Sequence, residues 1–75
     1  MAEFKLDCMG DLCPIPLMKT KKKVQSMNVG DTLVVSIDHS CAAKNIPEWS
    51  RKLGNRTEVK KTRDGEWEIT IKKER

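Results

Sequence analysis

Apolar residues change their spacing several times along this chain, and these changes constrain the fold more than any other feature of the sequence. Near the start, Phe4, Leu6 and Cys8 alternate with polar residues, which is the two-residue period of a strand with one buried face. From Pro14 onward the apolar positions fall three or four residues apart, as in an amphipathic helix that ends near Met27. The alternating period then returns over residues 32–37. The first half of the chain therefore predicts a strand, a helix and a second strand.

The second half predicts one more helix and two more strands. The helix is expected to end near Leu53, and Pro47 must lie in its first turn or at a kink. Because Asn45 followed by Glu48 resembles a capping box, we expect the main body of this helix to begin at Asn45. Its core-facing side chains are expected to be Ile46, Trp49 and Leu53. Asp64-Gly65 is typical of a tight turn and predicts a hairpin of the last two strands.

This order of elements predicts the fold. A helix lies between the first two strands, so these strands should be parallel with a right-handed crossover. Each strand is apolar on one face only, and both helices should cover that face. We expect an α/β (α+β) fold: a two-layer βαβαββ sandwich of a four-stranded mixed sheet with two helices packed on one face. The 75 residues are expected to form one domain, 1–75, too small for a large enclosed active site.

The segment Cys13-Pro14-Ile15-Pro16 marks the start of the first helix. Proline is tolerated in the first turn, because its missing N–H would have no partner within the helix. We therefore predict Pro14 as the first helical residue, Cys13 as the N-cap, and Pro16 as a second support of the helix N-terminus. A thiol in this place lies near free backbone N–H groups, which favour the thiolate, the form that attacks, carries sulfur or binds metal. Cys13 is accordingly the predicted catalytic residue.

The other two cysteines and the one histidine are expected near Cys13. Parallel strands end at the same edge of a sheet, so Cys8, Cys13, His39 and Cys41 could converge there as auxiliary or resolving groups. Cys8 is in phase with buried strand residues and is favoured as an inert core residue. For Cys41, a second reactive thiol and a small packing residue are equally supported interpretations. For His39, a surface loop residue is favoured over a catalytic base. The sulfur and nitrogen atoms of these four residues suit zinc. The gap between Cys8 and Cys13 is longer than is usual for a cysteine pair in a structural zinc site, so no metal is expected.

Charge and composition restrict the partners and the compartment. The net charge is +4, with a local run of docking candidates that comprises Lys19, Lys21, Lys22 and Lys23. We favour a solvated helix face over a docking surface for an acidic protein or RNA. One Phe, two Trp and no Tyr offer little base stacking, so no direct sequence-specific nucleic-acid binding is expected. Short apolar runs, no signal-peptide pattern and an odd number of cysteines favour a cytoplasmic protein.

Residues 6–16, Leu-Asp-Cys-Met-Gly-Asp-Leu-Cys-Pro-Ile-Pro, resemble the signature of the TusA/SirA-like sulfur-carrier family. The resemblance continues through residues 27–31 and 45–49, and so covers almost the whole chain. It implies the same βαβαββ sandwich and a sulfurtransferase-type carrier in which Cys13 accepts sulfane sulfur as a persulfide and passes it on. The implied donor is a cysteine desulfurase, a rhodanese-like protein or thiosulfate, and the acceptor is another protein, in sulfur trafficking such as tRNA thiolation. No cofactor is expected.

Two alternatives stay open. Ile46-Pro47-Glu48-Trp49 and residues 66–71 are more similar to the YeeD branch of this family, which implies thiosulfate processing beside a YeeE-type membrane transporter. Cys8 and Cys41 are not part of the core signature, and they leave room for a resolving thiol that forms a disulfide with Cys13 and releases sulfide. The other alternative is a basic regulatory or RNA-binding module that uses the lysine run.

Overall fold

A computed structural model describes residues 2–74. Its elements are β1 Glu3–Asp7, α1 Ile15–Ser26, β2 Thr32–Ile37, α2 Ser40–Lys52, β3 Arg56–Arg63 and β4 Glu66–Lys72. The strands form one sheet in the order β1-β2-β4-β3. β1 and β2 are parallel, and β4 is antiparallel to both β2 and β3. The predicted four-stranded mixed sheet with two helices is confirmed.

One face of the sheet forms the core. Leu33, Val35 and Ile37 project from alternate positions of β2 and are fully buried, as are Ile69 and Ile71 of β4. The helices cover this face with the buried residues Val24, Ala42 and Ile46, and Met27 closes the core after α1. The apolar face of the strands therefore packs against the apolar faces of α1 and α2 in a single core layer. This agrees with the sequence, in which each strand is apolar on one face only.

The second helix begins earlier than predicted, whereas its end near Leu53 agrees with the prediction. α2 begins at Ser40, so Asn45 lies more than one turn inside it and the predicted capping box is wrong. Pro47 lies within the helix with its ring buried, rather than in the first turn. Leu53 was predicted to face the core but is 49% exposed, because α2 ends at Lys52 and Leu53 is its C-cap. The start at Ser40 brings residues 40–45 into helical register, which turns out to determine the functional site.

The far end of α1 is fastened to the last strand. Lys73 donates from Nζ to the carbonyl oxygens of Val24 at 2.8 Å and Met27 at 2.7 Å. Gly30, with φ of 98°, turns the chain toward β2, and its N–H donates to the carbonyl of Lys73 at 2.7 Å. A cation over the last carbonyls of a helix complements its dipole. The end of α1 is thus held by Lys73, the residue that follows β4. Neither helix in residues 2–74 has the length and apolar character needed to cross a membrane.

Candidate active site at the carboxyl edge of the parallel strands

The loop between β1 and α1 places Cys13 at the edge where the parallel strands end. The N–H of Gly10 donates to Asp38 Oδ2 at 3.0 Å, which ties this loop to the end of β2. Asp11 in the same loop forms an ion pair with Lys19 of α1 at 2.6 Å. These contacts join the loop to the second strand and to the first helix. Cys13 is half-buried and carries a free thiol, so the loop holds a residue that is still partly exposed.

The start of α1 differs by one residue from its prediction. Pro14, not Cys13, is the N-cap, and the helix begins at Ile15, with Pro16 buried in the first turn. The Cys13–Pro14 peptide bond is cis. The N–H of Ile15 is already bonded to the carbonyl of Leu12 at 2.8 Å, and Pro14 and Pro16 have none. The two prolines and the bonded Ile15 therefore leave few helix N–H groups to stabilise a negative sulfur, fewer than expected from the sequence.

The side chain of Asn45 supplies the missing donor. Its Nδ2 lies 3.4 Å from Cys13 Sγ and 3.1 Å from Cys41 Sγ, both within hydrogen-bond distance for sulfur. Cys41 and Asn45 are four residues apart on α2, so they share one face of that helix. An amide NH₂ has two hydrogens, one for each sulfur. Asn45 was missed as a site residue in the sequence because Asn45 and Glu48 resemble a capping box. The four-residue spacing between Cys41 and Asn45, which places both on one helix face, was the signal that could have identified it.

The two accessible thiols influence each other. The neighbouring Cys13 side chain is the main cause that raises the pKa of the Cys41 thiol, and loss of solvent adds to it. The hydrogen bond from Asn45 and the charge of Lys44 act in the opposite direction on the same pKa. The Cys13 side chain therefore makes the loss of the Cys41 proton less favourable. Two negative charges on these neighbouring sulfurs are therefore disfavoured.

Cys8 and His39 do not join the two sulfurs. Cys8 is fully buried and belongs to the core, as predicted, and burial raises the pKa of its thiol. His39 is the half-buried N-cap of α2, and its Nδ1 has no hydrogen-bond partner among residues 2–74. Within the same residues, no three His, Cys, Asp or Glu side chains lie close enough together to hold a metal ion. The predicted edge thus gathers Cys13 and Cys41, while Cys8 faces inward.

The lysine run is largely occupied by contacts within the molecule. Lys19 pairs with Asp11, as described above. Lys23 Nζ lies 4.1 Å from the centroid of the Phe4 ring, and Lys21 Nζ lies 5.8 Å from that of Trp49. Ammonium groups over aromatic rings are stabilised by the ring quadrupole. These contacts favour the interpretation of the run as a helix face that covers apolar surface with lysine stems.

Exposed apolar side chains flank Cys13 along the chain. Met9, Leu12, Ile15 and Met18 are 39%, 66%, 44% and 63% exposed, and all belong to the loop and the first turn of α1. We call these four residues the apolar collar. Four exposed apolar residues within residues 9–18 suit a segment that contacts another protein. Cys13 lies within the segment that carries the collar, so a protein bound there would cover its thiol.

Known proteins are similar to this chain in sequence and in fold. The model of the family described as Sulfurtransferase TusA matches residues 4–73. A relative from Thermotoga maritima, named "Putative sulfur carrier protein", is 40% identical over 68 residues, which are 89% of this chain and 86% of the relative. The "Putative sulfur carrier protein TsuB" of Escherichia coli is 36% identical, over 92% and 93% of the two chains. A crystal structure of a SirA-like protein from Desulfitobacterium hafniense superimposes with a TM-score of 0.83 at 26% identity, over 91% and 93%.

These matches span the strand, loop and helix that build the cysteine site, as well as the sheet that supports it. They confirm the TusA/SirA-like resemblance and the sulfur-carrier role in general, with a sulfur donor and a sulfur acceptor as partners. The chain belongs to the sulfurtransferase TusA family.

Proposed function

We propose that this chain carries sulfane sulfur as a persulfide on Cys13 and passes it between proteins. The observation that carries the proposal is the position of Cys13: a free, partly accessible thiol in a fastened loop, with the amide of Asn45 3.4 Å from its sulfur. Cys8 is unsuited to this role because it is fully buried. Membership of the TusA family supports sulfur transport in general.

The proposed reaction has two displacement steps. The Cys13 thiolate attacks the outer sulfur of a donor persulfide, the donor's S–S bond breaks, and the donor leaves as a thiolate. A new S–S bond now joins Cys13 Sγ to the transferred sulfur, whose negative charge the Asn45 amide can stabilise as a hydrogen-bond donor. An acceptor thiolate then attacks the outer sulfur, and Cys13 leaves as a thiolate. Both steps need an accessible thiolate and no cofactor, as in thiol–disulfide exchange.

The apolar collar supports a protein as donor and acceptor. The collar offers apolar contacts along the segment that carries the thiol, and a protein surface can bury these side chains more fully than a small anion such as thiosulfate can. Burying such side chains against a partner is favourable and excludes water from the reacting sulfurs. We therefore propose that persulfide-bearing and sulfur-accepting proteins dock on the collar. The lysine run is not needed for this, since three of its four candidates already have partners within the chain.

Sulfur uptake tests the proposal. The protein is incubated with glutathione persulfide, and uptake is counted as sulfur retained on the protein, by mass spectrometry after alkylation, together with sulfide set free. We expect wild type and the matched control Cys8→Ala to take up sulfur, and Cys13→Ser to take up none. If Cys13→Ser takes up as much sulfur as wild type, Cys13 is not the carrier.

A further inference from the structure

A single side chain connects the two accessible sulfurs of the molecule. Asn45 Nδ2 lies 3.1 Å from Cys41 Sγ and 3.4 Å from Cys13 Sγ. Cys13 comes from the loop before α1 and Cys41 from the first turn of α2, so two elements distant in sequence meet at this amide. The proposed carrier reaction uses Cys13 and the amide but gives Cys41 no role.

The surroundings of Cys41 favour a chemical role over simple packing. Both Cys41 and Cys8 have free thiols, but Cys41 is only half-buried whereas Cys8 is buried. The Cys13 side chain is the main influence on the proton of Cys41, since it raises the pKa of this thiol. The Cys13 side chain therefore makes the Cys41 thiolate less favourable. Once Cys13 carries sulfur, the charge moves one atom outward to the terminal sulfur.

We propose that Cys41 is a resolving thiol that removes sulfur from Cys13 as sulfide, an inference that rests on the proposed function. The Cys41 thiolate attacks Cys13 Sγ, and a disulfide bond forms between the two cysteines. The bond from Cys13 Sγ to the carried sulfur breaks, and its electron pair leaves with that sulfur as hydrosulfide, which takes up the proton lost by Cys41. The carried sulfur is reduced to sulfide while the two cysteine sulfurs are oxidised to the disulfide, so no other oxidant is required.

Asn45 is the positioning residue for this step, because its amide holds both sulfurs and donates to the sulfur that is attacked. A low-molecular-weight thiol or a protein dithiol must then reduce the disulfide before the next cycle. The chain would thus have two outcomes for one loaded sulfur. An acceptor protein bound at the collar receives it as sulfane sulfur, and without an acceptor it leaves as sulfide.

The test follows loaded protein in the absence of added thiol. Wild type, Cys41→Ser and the matched control Cys8→Ala are loaded with glutathione persulfide, freed of the reagent by desalting, and followed for released sulfide and for disulfides. Wild type and Cys8→Ala should release sulfide and accumulate a Cys13–Cys41 disulfide. Cys41→Ser should lose this release and retain the sulfur on Cys13. Peptide mapping of the disulfide in wild type needs no variant, so a folding defect in Cys41→Ser would not decide the matter.

The outcomes separate the two proposals. If wild type and Cys41→Ser both load and retain sulfur equally, or release sulfide at the same rate, Cys41 is not a resolving thiol and the carrier function stands. If loaded wild type releases sulfide but forms no Cys13–Cys41 disulfide, the proposed step is also wrong. If neither protein loads at all, the carrier function is wrong, and the inference built on it is wrong as well.

Discussion

At the scale of single residues, the site depends on an asparagine that shares one amide between two sulfurs. Prolines at positions 14 and 16 remove backbone donors from the start of α1, so a side chain from the other helix provides the donor instead. Cys13 and Asn45, which both contact the Cys41 thiol, shift its pKa in opposite directions. Cys13 raises its pKa, and the hydrogen bond from Asn45 lowers it.

Opposite shifts are therefore expected from two substitutions. Cys13→Ala removes the largest cause that raises the pKa of Cys41, so this pKa should fall and Cys41 should be alkylated at lower pH than in wild type. Asn45→Leu keeps a similar volume but removes the donor, so the pKa of Cys41 should rise and its alkylation should need higher pH. The rate of iodoacetamide modification of Cys41, measured against pH by peptide mass spectrometry, checks both. Shifts in the same direction would contradict this account of the pair.

At the scale of elements, part of the site could be predicted from sequence and part could not. The position of Cys13 follows from local rules, since an alternating strand, a glycine turn and two prolines act within a few residues. Cys41 and Asn45 share one face of α2 only because the helix begins at Ser40. The capping-box pattern of Asn45 and Glu48 instead favours a start at Asn45, which the structure contradicts. Here the burial of Ala42, Ile46 and Pro47 against the sheet prevails over a local capping signal. Leu53 was predicted wrongly because helical spacing continues past the residue at which α2 ends.

The anchoring of α1 by Lys73 gives a prediction at this scale. Lys73→Met removes two hydrogen bonds to the carbonyls of Val24 and Met27, so the free energy of unfolding should fall by about 1–3 kcal/mol. Urea denaturation measures the change. Lys5→Met is the matched control, because Lys5 is an exposed strand residue, and it should stay within about 0.5 kcal/mol of wild type. Equal losses in both variants would show that Lys73 does not anchor the helix.

At the scale of the whole molecule, the two ends of α1 present different surfaces. The apolar collar lies at the end near Cys13, while Val29 follows the other end and is 65% exposed, almost the same as Leu12 at 66%. The 12 residues of α1 separate these ends by about 18 Å. Val29 is therefore a matched apolar residue that lies outside the proposed docking surface.

Replacing one collar residue should weaken transfer from a protein but not from a small donor. Leu12→Ser should slow sulfur loading from a rhodanese persulfide by about tenfold, the factor for about 1.4 kcal/mol of lost binding. Loading from glutathione persulfide should be unchanged, because a small donor needs no apolar docking surface. Val29→Ser should match wild type with both donors, as judged by initial rates of sulfur uptake. An equal loss in Val29→Ser, or a loss with the small donor too, would mean that the collar is not the docking surface.

The strand order has a consequence for folding during synthesis on the ribosome. β4 is the last strand in the chain, yet it lies between β2 and β3 in the sheet. A nascent chain that has emerged as far as β3 already contains both accessible cysteines, but β2 still lacks the partner that pairs with its second edge. Leu33, Val35 and Ile37 then have no Ile69 and Ile71 beside them. The thiols thus leave the ribosome before the scaffold that positions them is complete, and ordered sulfur chemistry must wait for the final strand.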